Sequence, residues 1–451
     1  MTEAPETPET QATMARLAAS VPANVREVCA TLTKAGHEAV TVGGAVRDAI
    51  LGRPPGDWDV ATSALPEQVL ALFRRTIPTG LQHGTVTIIT GKGVDSHVEV
   101  TTYRGEGAYT DARRPDHVTF GVPLRDDLAR RDLRVNAMAY DPEHGVLFDP
   151  YGGQQDIADK LLRAVGPTGN VFEDAVARFT EDGLRVMRAV RFSAVLEFAL
   201  DPDTERGIVP ALPSLAKVSK ERISDELDKL LHTRQPSRGL AIAERTGILA
   251  QIAPSLDFVR WGDGTLSRWL ARIDAATPRT RLAAFCIELG DPDTNPRYRD
   301  LETFERVDAM LKALKFSNAE ANAAAHLASV ARAVELPDLR PEEIRRLFSF
   351  IGRDHAEAAI ELWRAHSPAH PAVIAEGERI LRERHPLAAK DLALAGKDLI
   401  GELKIAPGPT IGRILGVLLD RVIVDPQLNT RAQLLELAQQ LELQLAAPGD
   451  S

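Results

Sequence analysis

The run Gly43-Gly44-Ala45-Val46-Arg47-Asp48, with Asp57-Trp58-Asp59 close behind it, constrains this chain more than any other feature. Ala39-Val40-Thr41-Val42 ahead of it is β-branched and apolar, which predicts a short strand. Glycine accepts positive φ without strain, so Gly-Gly after a strand predicts a tight turn. Residues Ala45 to Leu51 then predict a helix, closed by Gly52 as its C′ residue. The start of such a helix offers free N–H groups and a positive dipole end to an anion. Arg47, in the first turn, adds a charge-assisted donor. If the Asp57 segment is extended, its side chains alternate, so Asp57 and Asp59 point the same way. Their Cα atoms then lie ~6.6 Å apart, at ~3.3 Å per residue. That suits carboxylates holding metal ions ~3.5–4 Å apart for in-line displacement at phosphorus. Each half alone has a plainer reading: Gly-Gly is commonly only a turn, and Asp-x-Asp a solvated loop. Strand, glycine turn, helix and carboxylates in this order are what polyphosphate chemistry needs.

At 451 residues the chain exceeds one ordinary core and predicts two to four domains. Its 44% hydrophobic and 26% charged residues belong to the globular class. The two cysteines, Cys29 and Cys286, lie far apart without metal-ligand spacing, and read as buried thiols of an intracellular protein. Met1 to Gln11 is rich in Glu, Thr and Pro, without the basic-then-apolar order of a targeting segment. Residues 1–22 are accordingly expected to form a disordered tail. No apolar run approaches the ~20 residues that span a bilayer, so no membrane partner is expected and the location expected is the cytoplasm. The net charge of −10 argues against a generally basic nucleic-acid footprint. Arginines nevertheless cluster without lysine, at Arg104, Arg113, Arg114, Arg125, Arg130, Arg131 and Arg134, and again at Arg178, Arg185, Arg188 and Arg191. A solvated face is the ordinary account of such runs, but arginine's planar fork suits phosphates and base edges in a way lysine's point charge does not.

Strand signals at Thr85–Thr90, His97–Tyr103 and Val118–Val122 mix with helical ones up to about residue 165. From Phe172 onward the pattern is Ala/Leu-rich at helical spacing, punctuated by prolines. The chain therefore reads as α+β, a mixed head followed by an all-helical remainder. Turn-rich Leu289–Arg297 and Pro407-Gly408-Pro409 mark boundaries or exposed loops.

Five motifs in order give a resemblance covering about residues 38–230. They are the Gly43–Asp48 and Asp57–Thr62 pair; Arg130-Arg131-Asp132-Leu133-Arg134-Val135-Asn136-Ala137-Met138-Ala139; Asp149-Pro150-Tyr151-Gly152-Gly153 with Asp156 and Leu161; Glu181-Asp182-Gly183-Leu184-Arg185-Val186-Met187-Arg188-Ala189-Val190-Arg191-Phe192; and, more weakly, Arg222 to Leu227. The chain resembles the class II tRNA nucleotidyltransferases, the CCA-adding enzymes, and their bacterial poly(A) polymerase relatives.

The resemblance implies a head of the DNA polymerase β nucleotidyltransferase type over residues 23–165, a nucleotide-recognition neck over 166–235, and a helical body and tail over 236–451 that hold RNA. It implies template-independent addition of C, C and A to a tRNA 3′ end from CTP and ATP. Asp57 and Asp59 would be catalytic and hold two Mg²⁺ ions, and Glu99 is a candidate third carboxylate or an ordinary strand-surface glutamate. Gly44 and Arg47 would face the nucleotide's triphosphate. Arg131 would contact the incoming nucleotide and Asn136 order the site, while Asp132 could equally cap a helix beginning at Leu133. Arg134 departs from the family, which commonly has a small hydroxyl residue there. Arg104 to Pro115 matches the family's flexible loop, which permits the switch from C to A.

Asp182, Arg185, Arg188 and Arg191 recur every three residues and predict one row along a helix. A surface salt-bridge ladder is the bland reading. Cytosine and adenine, however, both present an amino donor beside a ring-nitrogen acceptor, the reverse of uracil and guanine. Aspartate only accepts and arginine only donates, so Asp182 with Arg185 complements C and A. The resemblance assigns that pair the role of protein template, with Arg188 and Arg191 in support. Arg222, Glu226 and Lys229 read simply as helix stabilisers, and Asp354-His355 as a surface pair rather than a phosphohydrolase motif. A poly(A) polymerase or an enzyme adding only the final A shares every motif. A catalytically inactive RNA-binding protein on this scaffold would be expected to lose Asp57 or Asp59. The sequence leaves the oligomeric state open.

Overall fold

Val42, the last residue of the first strand, pairs with Asp59, the first residue of the second, and that register organises the head. The computed structural model describes residues 8–93, 96–106, 118–258 and 262–446. The chain divides into two compact units between Ile252 and Ala253.

In the first unit the strands are β1 (Ala39–Val42), β2 (Asp59–Thr62), β3 (Thr76–Gly80), β4 (Thr85–Ile89), β5 (His97–Thr102), β6 (Arg104–Glu106), β7 (Val118–Phe120), β8 (Ala139–Asp141), β9 (Val146–Phe148), β10 (Leu161–Leu162) and β11 (Ala199–Leu200). Seven of them form one mixed sheet in the order β3-β4-β5-β2-β1-β8-β9. β2 and β5 run parallel, and the other neighbouring pairs antiparallel. β1 is buried along its whole length, as expected of a strand covered on both faces. On β5, Val98 and Val100 face inward while His97 and Glu99 face out.

The helices of this unit are α1 (Pro8–Ser20), α2 (Ala23–Lys34), α3 (Gly44–Ile50), α4 (Pro66–Leu72), α5 (Leu124–Ala129), α6 (Gly153–Asp159), α7 (Val171–Glu181), α8 (Leu184–Leu196), α9 (Pro202–Arg206), α10 (Ile208–Leu215), α11 (Lys220–Leu231), α12 (Ser237–Arg245) and α13 (Ile248–Ile252). On α2 the buried residues Val25, Val28, Cys29 and Leu32 fall at helical spacing and pack with Val60, Val86, Val98 and Val100 of the sheet. The opposite face is covered through Val40, Val42, Ala61, Tyr103 and Leu128.

Two expectations are corrected here. The tail expected to be disordered over 1–22 is helical from Pro8 to Ser20, and α1 packs on α3. Met14, Leu17, Ala18 and Val21 form an apolar stripe, with Leu17 and Val21 buried, and this stripe outweighs the polar composition ahead of it. The boundary expected at 235/236 does not part the chain, because α12 packs on α8.

The second unit is helical, as the Ala/Leu spacing predicts: α14 (Thr265–Ala275), α15 (Arg281–Cys286), α16 (Leu301–Ala313), α17 (Asn318–Ala331), α18 (Pro341–Ile351), α19 (Arg353–His366), α20 (Pro371–Arg382), α21 (Gly396–Glu402), α22 (Pro409–Val424) and α23 (Arg431–Ala446). Its largest buried side chains include Trp269 and Trp363. Each satisfies its indole N–H with a backbone carbonyl, Phe285 O at 3.0 Å and Val330 O at 2.9 Å. His355, read as a surface residue, is half-buried and stacks on His326 with ring centroids 5.5 Å apart. Both cysteines are free and buried, and burial pushes the Cys29 thiol up to about 12. Among the described residues no helix is long and apolar enough to cross a membrane.

Candidate active site

Register brings the distant motifs together. Val42 pairs with Asp59 on one side and with Ala139 on the other, so the turn after β1 lies beside the first carboxylate strand and the segment leading into β8. Gly43 has φ 80° and ψ −139°, a conformation open to glycine and strained for other residues. A Cβ there would also stand 3.1 Å from Arg131 Nη1. Arg47 is buried behind this turn. Its guanidinium forks onto Asp48, Nε to Oδ1 at 2.9 Å and Nη2 to Oδ2 at 3.0 Å, and its Nη1 donates to Asn136 Oδ1.

Asp57 and Asp59 are both exposed while Trp58 between them is buried, which is the alternation read from the sequence. Asp59 stands in register with Glu99 on the parallel neighbour β5. The Asp59 side chain keeps solvent contact, but the protein packed around its carboxyl, together with the Glu99 charge, pushes that group up to about 6, Asp57 adding to the rise and Arg131 opposing it. A hard divalent cation answers such crowded carboxylates, so the donor set fits one. Among the described residues no three carboxylate, imidazole or thiol groups already converge as a metal-binding set.

The row on α8 differs from expectation at its first member. Asp182 is not on a helix: it has φ −131° and ψ 105° and sits in the break between α7 and α8. Its Oδ1 accepts from Leu184 N–H at 3.0 Å, so it caps the helix that carries the arginines. Gly183 fits this break because a Cβ would meet the backbone of Ser214 at 2.3 Å, at the end of α10. Arg222 of α11 forks onto Asp182, Nη2 to Oδ2 at 2.8 Å and Nη1 to Oδ1 at 3.3 Å. Arg185 is buried and donates to Arg178 O at 3.0 Å, Glu181 Oε2 at 2.8 Å and Arg130 O at 2.9 Å.

Arg188 donates through Nε to Asp132 Oδ2 at 2.8 Å, and Arg191 through Nε to Glu226 Oε2 at 2.6 Å. Burial alone would raise the Asp132 carboxyl. The Arg188 charge, with hydrogen bonds from Asn136, Arg188 and Leu133 N–H, outweighs it and holds Asp132 well below the usual carboxylate range. Asp132 therefore caps no helix at Leu133: only a single 3₁₀ turn follows, over Arg134–Asn136 and without a side-chain cap, and Asp132 instead anchors an arginine from another helix.

A cavity of about 490 Å³ unites these parts. Gly44, Arg47, Asp59, Arg131, Asp182, Arg185 and Arg188 all line it, while Arg191 stands behind, held by Glu226. Sequence reasoning missed Arg222 and Phe192, which also line it, and took Arg222 and Glu226 for local helix stabilisers. Both reach across to the arginine-bearing segment instead. The pattern i, i+4 shows that side chains share a helix face, but not which partner that face meets. The segment expected to act as a flexible loop falls mostly within 107–117, outside the described residues. Arg104–Glu106 and Val118–Phe120 at its two ends pair antiparallel.

Residues 39–163 match the Poly A polymerase head domain family, 197–259 the RNA and SrmB-binding site of polymerase A, and 301–438 the tRNA nucleotidyltransferase domain 2 family. The CCA-adding enzyme of Geobacillus stearothermophilus is 37% identical over 397 residues, 87% of this chain and 90% of that one. The CCA-adding enzyme of Lactococcus lactis subsp. cremoris (strain MG1363) is 34% identical over 425 residues, 92% and 95% of the two chains. The crystal structure of the Bacillus stearothermophilus CCA-adding enzyme in complex with CTP superposes with a TM-score of 0.70 at 32% identity, covering 97% of this chain and all of that one. The Thermotoga maritima CCA-adding enzyme complexed with tRNA_CCA has the same fold, with a TM-score of 0.65 at 17% identity over 95% of this chain and 98% of that one.

Proposed function

We propose that this chain, which belongs to the CCA-adding enzyme family, extends tRNA 3′ ends with C, C and A from CTP and ATP without a nucleic-acid template. The observation that carries the reading is the single cavity in which a carboxylate strand and a glycine turn meet Asp182 and Arg185. A triphosphate and a base on one nucleotide can be gripped at once by those two ends.

Asp57 and Asp59 would hold divalent metal, and Mg²⁺ is the ion we propose. Bound there, the metal supplies activation of the RNA 3′-hydroxyl and neutralisation of the triphosphate. Gly44 leaves the turn open to phosphate oxygens, and Arg47 and Arg131 supply positive charge beside it. Asp182 accepts from the exocyclic amine of C or A, and Arg185 donates to the ring nitrogen. Arg185 does this by exchanging one of its contacts to Glu181 or the backbone carbonyls for the base. Arg188 and Arg191 stand behind the pair and neutralise its surroundings. The helical second unit is assigned to holding the RNA, and the site of action to the cytoplasm.

Incubation with tRNA transcripts ending before the first C and after the second C, each with one nucleotide supplied alone, tests this reading. Addition of C to the first and of A to the second is expected with Mg²⁺ and is lost on chelation. Long adenosine tails irrespective of primer would make it a poly(A) polymerase, and A addition alone an A-adding enzyme. Binding of tRNA without transfer would leave an RNA-binding protein.

A further inference from the structure

We propose that Phe192 is a positioning residue that couples the base-reading end of the cavity to its phosphate-reading end, so that a poorly fitting base loosens the grip on the triphosphate. The proposal rests on the function proposed above and adds to it a residue with no polar atom.

Three guanidinium groups gather around the Phe192 ring, Arg47 at 5.2 Å, Arg188 at 5.4 Å and Arg191 at 4.3 Å from its centroid. All lie within the reach at which a ring's quadrupole attracts a cation. Arg47 comes from α3 beside the glycine turn, while Arg188 and Arg191 come from α8 beside the base-reading pair. Three like charges at one ring repel each other. Each is therefore tied to its own carboxylate, Asp48, Asp132 and Glu226 respectively.

A polar path joins two of the same arginines. Arg47 donates to Asn136 Oδ1, Asn136 Nδ2 donates to Asp132 Oδ1 at 3.0 Å, and Arg188 donates to Asp132 Oδ2. Arg47, Asn136, Asp132 and Phe192 are all buried. Closely packed groups of this kind have few alternative arrangements, so displacing Arg188 shifts the surface on which Arg47 rests. Coupling of this sort is reciprocal: the triphosphate sharpens the choice of base by the same factor by which the correct base tightens the triphosphate.

The test measures binding of CTP, UTP, CMP and UMP without tRNA, so that no turnover intervenes, to the full chain and to Phe192→Leu and Phe192→Tyr. In the unaltered protein the preference for CTP over UTP should exceed that for CMP over UMP by about fivefold or more, the low end of ordinary coupling. Phe192→Leu keeps apolar bulk but removes the ring. It should make the two preferences equal and weaken CTP binding about two- to thirtyfold, the range spanned by cation–π contacts. Phe192→Tyr keeps the ring and should retain the unaltered pattern. Where the leucine variant does not fold, Phe192→Met takes its place. Equal weakening of all four ligands with the excess preference intact would reduce Phe192 to packing and overturn the proposal, as would equal preferences in the unaltered protein. An unaltered protein with no preference for CTP over UTP would instead sink the base-selecting function beneath it.

Discussion

Arg222 and Asp182, forty residues apart in sequence, face each other as a fork and a carboxylate, with Nη2 2.8 Å from Oδ2 and Nη1 3.3 Å from Oδ1. The aspartate proposed to read the base is thus aimed by a second helix. Hydrogen bonds to charged groups contribute about 1.5–3 kcal/mol, so Arg222→Ala should relax discrimination against UTP and GTP roughly tenfold or more. Asp182→Ala and Arg185→Ala should relax it by ~1–3 kcal/mol each, the value of a good side-chain-to-base pairing. Relative kcat/KM for the four nucleotides on one tRNA primer reads all three. Unchanged selectivity in Asp182→Ala would move the template elsewhere.

Replacing either Asp57 or Asp59 by alanine should reduce transfer below about a tenth of the unaltered rate, since a lost metal contact removes several kcal/mol of transition-state stabilisation. Asp59 also predicts a pH dependence. Its carboxyl rises from the ordinary 3.8 to about 6, so the folded chain takes up a proton across that window that the unfolded chain does not hold. Its contribution to stability therefore falls as pH rises from 3.8 to about 6, and above that the ionised group is kept at the fold's expense. Asp59→Asn should melt at higher temperature than the unaltered protein at neutral pH, with the difference fading below about pH 4. Activity has the opposite sense, because only the ionised carboxylate ligates metal. At limiting Mg²⁺ its acid limb should lie near pH 6.

Glu99 is the second-largest cause of the rise at Asp59 and its registered neighbour on β5. Glu99→Gln removes the charge and keeps the shape, so the acid limb should move to lower pH. A rise in half-saturating Mg²⁺ in the same variant would make Glu99 a metal ligand. An unchanged Mg²⁺ requirement would confine it to the electrostatics of Asp59. No movement of the limb would remove it from both roles.

Leu17 is wholly buried between α1 and the head's core. Leu17→Ala should lower the stability of the first unit by about 2–5 kcal/mol, the usual cost of emptying a packed leucine site. Deleting residues 8–20 should do at least as much damage. Thermal unfolding of both variants decides whether this segment is a tail or part of the domain.

Much of the site was legible because its chemistry is local. Val42, Gly43 and Gly44 write a strand and a turn, and the exposed–buried–exposed order of Asp57, Trp58 and Asp59 is a period of two. Side chains that act at a distance were not legible. Arg222 and Glu226 are spaced to satisfy one another along a helix, yet they bond Asp182 and Arg191, and nothing in a one-dimensional pattern names such partners. The row of Asp182, Arg185, Arg188 and Arg191 extends one member beyond its helix, since Asp182 and Gly183 lie in the break before Leu184, where that helix begins. The first helix was obscured by composition: its apolar stripe is narrow, and the Glu, Thr and Pro before it dominate the count.

The bare backbone at Gly183 has a consequence for redesign. With the end of α10 pressed against it at 2.3 Å from any added carbon, this position accepts a hydrogen and little else. A library aimed at making the protein accept other nucleotides would gain nothing by varying residue 183, although it adjoins the residue proposed to meet the base. Such variants would lose the joint before they changed the reading. Productive diversity lies at 182, 185 and 222, where only side chains separate one alphabet from another.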